Sequence, residues 1–123
     1  MRIGQFSERT GLSVDTLRYY EKAGLLKPLR ADNGYRQYSE ADLAWVAFIR
    51  RLKETAMPLA QIRQYSRLRE QGDATLCARQ KMLQDHSQRL HEQQRVLAEH
   101  QVHLAAKLAI YREMILKVEA SPD

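Results

Sequence analysis

The sequence predicts a mostly α-helical chain with a short β-hairpin near its N-terminus and one long helix near its C-terminus. Three observations lead to this prediction: apolar residues at helical spacing before residue 70, an Asp-Asn-Gly turn at 32–34, and a leucine at every seventh position from Leu76 to Leu104. We therefore expect two unequal parts, a small domain over residues 1–72 and a long helix with its tail over residues 73–123.

Two short helices joined by a tight turn are predicted at the start of the chain. Ile3 and Phe6 lie three apart on the first helix, and Thr10 to Leu12 includes a glycine that suits a sharp connection. Ser13 is a good N-cap for the second helix, which Gly24 can end in a left-handed conformation. This is the pattern of a helix-turn-helix, whose second helix enters the major groove of DNA.

The outer face of the second helix carries groups that suit phosphate oxygens and base edges. Arg18 and Tyr19 are the strongest candidates for DNA contact, and Thr16 and Lys22 belong to the same face. The alternative is that Tyr19 and Tyr20 are both core residues and that Arg18 is only a solvated charge. The hairpin that follows favours the DNA-binding interpretation.

The turn at 32–34 predicts a β-hairpin, because Asn and Gly accept a positive φ at low cost. Short strands are expected at 29–31, which includes Arg30, and at 35–38. Alternation along the second strand puts Arg36 and Tyr38 on one face, so a cation and a phenol would line the side that faces a phosphate backbone. An ordinary surface hairpin is the alternative interpretation.

The positive charge of the chain lies in its N-terminal part. Residues 1–70 contain 13 Lys and Arg against 8 Asp and Glu, whereas residues 71–123 contain 7 of each, so the whole excess of +5 lies before residue 71. This distribution favours a polyanionic partner such as duplex DNA. The single cysteine permits no intramolecular disulfide, and no apolar run resembles a signal peptide or a membrane span, so we expect a cytoplasmic protein.

Two more helices are predicted between the hairpin and residue 72. Ser39 to Asp42 resembles a capping box with Asp in place of the usual Glu or Gln, and Pro58 suits the first turn of the second of these helices. Gly72 marks its end. The apolar stripe of the first helix predicts the core of the domain: Trp45, Phe48, Ile49 and Leu52.

The heptad spacing after residue 75 predicts a coiled coil. One helix from Thr75 to about Lys117 would extend roughly 65 Å, too long to bury its stripe against the preceding domain, so a second chain is implied. Composition leaves open whether the pair is parallel or antiparallel, and polar residues such as Gln94 interrupt the seam. The predicted dimerisation residues are Leu76, Leu83, Leu90, Leu97, Leu104, Leu108, Tyr111 and Ile115.

Four features of the sequence occur together: Leu17-Arg18-Tyr19-Tyr20-Glu21, Gly24-Leu25-Leu26, Gly34 to Ser39, and the terminal coil. With this combination the chain resembles the MerR family of bacterial transcription regulators along nearly its full length. The resemblance implies a winged helix-turn-helix DNA-binding domain and an antiparallel coiled-coil homodimer. It also implies binding to an inverted-repeat operator inside an over-long promoter spacer, where distortion of the DNA controls RNA polymerase. The DNA contacts that it implies fall on Thr16, Arg18 and Tyr19 in the helix and on Asn33, Gly34, Tyr35, Arg36 and Tyr38 in the wing.

Within this family, residues 107–112 and 72–75 look most like the subgroup that responds to aldehydes and other electrophiles. The subgroup has a cysteine in the segment resembling residues 51–55, where this chain has Arg51. Cys77, the only thiol, lies near the start of the long helix, where the helix dipole favours a thiolate, so it is a possible thiol sensor. The alternative is an inert, part-buried small residue.

Other functions are less well supported by the residues. His100 and His103 could share a helix face toward a metal, but four histidines on a polar helix are expected to be solvated, and we predict no metal site and no cofactor. No phosphate-cradling glycine loop or nucleophile with a nearby base suggests an enzyme. Two alternatives remain: an architectural DNA-binding protein without promoter activation, and a coiled-coil adaptor whose basic head binds protein or RNA.

Overall fold

The computed structural model describes residues 1–121, so positions 122 and 123 of the predicted tail lie outside the described residues. It contains a first compact unit, Met1–Leu83, and a second unit that begins at Gln84. The elements are α1 (Ile3–Thr10), α2 (Val14–Lys22), β1 (Leu29–Arg30), β2 (Arg36–Gln37), α3 (Glu40–Glu54), α4 (Leu59–Glu70), a 3-10 turn (Gly72–Thr75) and α5 (Leu76–Ala120). The predicted mostly helical fold with a two-stranded wing and a long C-terminal helix is confirmed.

Helix α1 ends at the predicted turn, and α2 begins after the predicted N-cap Ser13 and ends just before Gly24. Gly11 takes a φ of 73° in the turn between them, and the Ser13 hydroxyl accepts a hydrogen bond of 3.1 Å from the Thr16 amide at the start of α2. Gly24 has a φ of 79° just after α2. Both helices pack through their apolar faces, with Phe6 and Leu17 fully buried.

The hairpin is shorter than predicted. Leu29 pairs with Gln37 and Arg30 with Arg36, which leaves only two residues in each strand. Gly34 has the positive φ of 84° that the turn requires, while the side chain of Asn33 accepts a hydrogen bond of 3.1 Å from the Tyr35 amide. Glycine therefore supplies the backbone conformation, and asparagine supplies a hydrogen bond.

Helix α3 packs against α1 and α4, and the buried hydrophobic residues of α1 to α4 form one cluster. The predicted capping box is confirmed, because the Ser39 hydroxyl accepts from the Asp42 amide and the Asp42 carboxylate accepts from the Ser39 amide. Pro58 is the N-cap of α4 and does not lie in its first turn. The predicted stripe of α3 is buried except for Phe48, which is half-buried against the core.

Helix α5 begins at Leu76 and continues to Ala120, a length of about 68 Å at 1.5 Å per residue. The compact N-terminal unit extends past the predicted boundary at residue 72, because Met82 and Leu83 in the first turns of α5 are partly buried against its core. Among residues 1–121, no helix is long and apolar enough to cross a lipid bilayer.

Candidate nucleic-acid interface

The exposed face of α2 carries three of the side chains predicted to contact DNA. Arg18 and Lys22 are exposed, and the Tyr19 ring is 46% exposed, whereas the neighbouring Tyr20 is 2% exposed. The alternative that places both tyrosines in the core is therefore wrong for Tyr19. Thr16 is half-buried, and its hydroxyl lies 2.9 Å from that of Ser13, so it also serves the start of the helix.

Basic side chains of the wing are held by neighbouring groups. The Arg36 Nε donates to the Glu21 carboxylate at 2.7 Å, which joins the wing to α2. The Arg30 Nη1 donates to the Gly34 carbonyl at 3.0 Å, so this side chain supports the turn. Asn33 and Gly34 are exposed at the tip. These bonds limit the number of conformations in which the two guanidinium groups can meet a phosphate.

A basic cleft of about 470 Å³ lies where the start of α1, the exposed face of α2 and the wing meet. The Arg2 guanidinium stacks over the Tyr35 ring, 3.9 Å from its centroid, at one side of this cleft. The N-terminus of α1 has no side-chain cap, so its first amide groups and partial positive charge remain available to an anion. The cleft is lined by Arg2, Ile3, Gly4, Arg18, Tyr35 and Arg36.

Arg2, Ile3 and Gly4 also line the cleft, although the predicted DNA contacts do not include them. The signal for their contribution is present in the sequence, since a cation followed directly by the start of a helix combines two features that attract phosphate. The cleft therefore brings Arg18, Tyr35 and Arg36 together as predicted candidates and adds the start of α1 to them.

The predicted DNA contact of the Tyr38 side chain is wrong. Its ring is 3% exposed and stacks on Phe6 with a centroid separation of 4.3 Å, while its amide donates to the Met1 carbonyl at 2.7 Å. Burial raises the pKa of Tyr38, and the nearby Glu21 carboxylate raises it further. Tyr38 follows the two-residue strand and turns into the core, so strand alternation does not extend to it.

Helix α5 presents most of the predicted dimerisation residues to solvent. Leu97, Leu104 and Leu108 are 63%, 62% and 58% exposed. Leu76, Tyr111 and Ile115 are also more than half exposed. Leu90 is half-buried, and Leu83 is partly buried against the core of its own domain, so the Leu83 side chain is only partly available to another chain.

Cys77 is exposed in the first turn of α5, contrary to the part-buried alternative. The nearby Arg79 guanidinium donates hydrogen bonds to the Thr75 hydroxyl at 3.0 Å and to the Gly72 carbonyl at 3.1 Å. At position 51, where the electrophile-responsive subgroup is expected to have a cysteine, this chain has an exposed arginine. Cys77 therefore remains the thiol to test.

The expectation that all four histidines are solvated is wrong for His86. This side chain is 5% exposed, and its burial, with a smaller effect of Arg89, lowers the pKa of its imidazole. His100 and His103 are exposed. Within residues 1–121, no group of three or more His, Cys, Asp or Glu side chains is arranged to hold a metal ion.

Comparison with known proteins assigns the family. Residues 1–72 match the family model described as MerR HTH family regulatory protein, and residues 43–107 match a second model described as MerR, DNA binding. The chain belongs to the MerR family. Its members in the comparison include the HTH-type transcriptional regulator AdhR of Bacillus subtilis (strain 168), which is 40% identical over 93 residues, or 75% of this chain and 66% of AdhR.

Solved structures of MerR-family proteins share the fold over nearly the whole chain. A Listeria monocytogenes chain assigned to the MerR family of transcriptional regulators has a TM-score of 0.88 and 29% identity, covering 97% of this chain and 91% of its own. HiNmlR, a MerR family regulator lacking the sensor domain and bound to promoter DNA, has a TM-score of 0.80 and 29% identity over 91% of this chain and 90% of its own. The chain spans only 46% to 66% of the length of the first four curated MerR-type relatives.

Proposed function

We propose that this MerR-family chain is a sequence-specific DNA-binding transcriptional regulator. As a homodimer it binds an inverted-repeat operator within a promoter spacer, and it activates or represses RNA polymerase by distorting that DNA. The observation that carries the proposal is the basic surface formed by α2, the wing and the start of α1, where Arg18 is exposed.

The chemistry of this surface suits a duplex better than an isolated anion. Arg18, Tyr19 and Lys22 occupy the exposed face of a helix that follows a tight turn, which is the geometry for base edges in a major groove. The cleft beside it combines guanidinium groups with an uncapped helix N-terminus, which suits a backbone phosphate. HiNmlR, which shares this fold, is bound to promoter DNA in its crystal structure.

The exposed apolar residues of α5 support a dimer. A helix of 45 residues that leaves Leu104, Leu108, Tyr111 and Ile115 more than half exposed needs a second surface to remove them from water. A second copy of the same helix supplies a matching heptad seam. Two DNA-binding units on one dimer would then match the two halves of an inverted repeat.

We propose that Cys77 senses an electrophile stress signal in the cytoplasm, because it is an exposed thiol in the first turn of a long helix. Replacing Cys77 with serine should abolish the transcriptional response to an aldehyde while leaving operator affinity unchanged. A Cys77→Ser variant that still responds would remove the thiol from the sensing mechanism and leave the regulator proposal intact.

The experiment that tests the proposed function is a footprint of the full chain on the DNA upstream of its own gene and on neighbouring promoters. We expect protection of an inverted repeat inside a promoter spacer that is longer than usual. Transcription with purified polymerase on the protected promoter then measures activation or repression. Weak protection spread evenly over any duplex would contradict the proposal and favour an architectural role.

A further inference from the structure

The end of α2 is held by two buried side chains that come from other helices. The Trp45 Nε1 of α3 donates to the Leu25 carbonyl at 2.6 Å, and the Ser66 hydroxyl of α4 donates to the Gly24 carbonyl at 3.1 Å. Trp45 is 6% exposed and Ser66 is 4% exposed. Neither side chain can therefore contact DNA directly.

These two bonds act where α2 stops and the chain turns back. Carbonyl groups after a helix end have no partner within the helix and must find one elsewhere. Gly24 is in the left-handed conformation, and the Leu25 amide donates back to the Tyr20 carbonyl at 2.8 Å. The amides of this turn thus donate to carbonyls of α2, whereas the Gly24 carbonyl accepts from α4 and the Leu25 carbonyl accepts from α3.

The Trp45 donor is itself held in place. The Trp45 ring stacks on Tyr65 with a centroid separation of 5.9 Å, and the Arg69 guanidinium covers it at 4.2 Å. Leu25 and Leu26 are each 1% exposed, so the turn cannot move without opening the core. Because α2 has only nine residues, its orientation depends on such anchors more than on its own hydrogen bonds.

We propose that Ser66 and Trp45 are positioning residues for DNA recognition: they fix the direction of α2, and with it the placement of Arg18 and Tyr19 in the major groove. The inference rests on the proposed function, since it concerns the same DNA-binding helix. Loss of either donor leaves a buried carbonyl without its partner, and the turn relaxes to satisfy it. The recognition helix then binds its operator with altered geometry.

The test uses the full chain and the promoter duplex found by footprinting, labelled with a fluorescent base analogue at the centre of the inverted repeat. Ser66→Ala removes one donor with little change in volume, and Trp45→Phe removes the other while keeping an aromatic ring. Thr55→Ala is the matched control, because its hydroxyl also donates to backbone carbonyls, those of Arg51 and Leu52 at the end of α3.

We expect Ser66→Ala and Trp45→Phe each to weaken operator binding by roughly tenfold, with less than about a twofold change for an unrelated duplex, whose binding depends mainly on charge. At saturating protein, both variants should also give a smaller signal from the base analogue than the wild type. A purely structural role would lower the melting temperature and leave the saturated signal unchanged, as we expect for Thr55→Ala.

A Ser66→Ala variant with the wild-type signal at saturation and wild-type preference for the operator would overturn the positioning role of Ser66. The same two results for Trp45→Phe would overturn the positioning role of Trp45. If the wild type itself shows no preference for any promoter sequence, the proposed function fails, and the positioning role fails with it. The two failures are therefore distinguished by the wild-type measurement.

Discussion

Replacing Arg18 with alanine tests the role of the basic surface in DNA binding. Arg18 is exposed on α2 and lines the cleft formed with the start of α1 and the wing. The ion pairs found among residues 1–121 do not include Arg18, whereas Arg36 in the same cleft is paired with Glu21. The charge of Arg18 is therefore available to DNA without first breaking an internal ion pair.

The size of the effect follows from this geometry and from the two copies in a dimer. Each Arg18 that neutralises one phosphate contributes about 0.9 to the slope of log K against log salt, so Arg18→Ala should reduce the slope by about 2. If each side chain also contacts a base edge, about 1 to 3 kcal/mol is lost per half-site. Operator affinity should then fall by roughly 30-fold or more.

Fluorescence anisotropy of a labelled operator at several KCl concentrations measures both quantities. Arg112→Ala is the matched control, since it removes the same charge from an exposed position on α5, outside the N-terminal unit. We expect its affinity and salt slope to stay close to those of the wild type. An Arg18→Ala dimer with an unchanged slope and affinity would refute the assignment of α2 as the DNA-recognition helix.

Three further predictions concern the arm, the α3–α4 loop and the wing. Leu108→Lys should shift the protein toward monomer in sedimentation velocity, because it places two cations in the proposed seam. Val102→Lys, at an exposed position outside the a and d sites, should leave the dimer intact, and equal dissociation by both variants would argue against the heptad seam. Ala56 has a φ of 67° and is exposed. Ala56→Gly should raise the free energy of unfolding by about 0.5 to 1 kcal/mol in urea titrations, because the relief of left-handed strain exceeds the entropy cost of glycine. Tyr38→Phe should change operator affinity by less than about twofold and should not lower the melting temperature, because the buried Tyr38 hydroxyl neither donates nor accepts a hydrogen bond within the described chain. A large loss of affinity would restore Tyr38 as a DNA contact.

Much of the fold follows from signals that act within one or two turns of chain. Ser13 and Ser39 accept hydrogen bonds from amides three residues later, and Gly11, Gly24 and Gly34 adopt the left-handed conformations that their turns require. Such interactions join neighbours in sequence, so residue type and spacing are enough to predict them. The same holds for the long helix, whose apolar residues repeat at a fixed interval.

The surfaces that face DNA and a second chain were predicted only in part, because several of their features depend on contacts between distant residues. Strand alternation assigned Tyr38 to the surface, but stacking on Phe6 and the backbone bond to Met1 place it in the core. The heptad rule treated Leu83 like its neighbours in the series, but the core of its own domain partly covers it. A periodic pattern identifies which residues share a face and does not identify what covers that face.

The sequence by itself determined the helix-turn-helix, the glycine-containing wing, the long heptad helix and the location of the positive charge, since each of these depends on local geometry or on composition. Only the tertiary structure decided that Arg2 and the start of α1 join Arg18 and Arg36 in one cleft, and that Trp45 and Ser66 hold the turn after α2. The two donors lie 20 and 42 residues from their acceptors, and hydrogen bonds over such separations exist only once the core has packed.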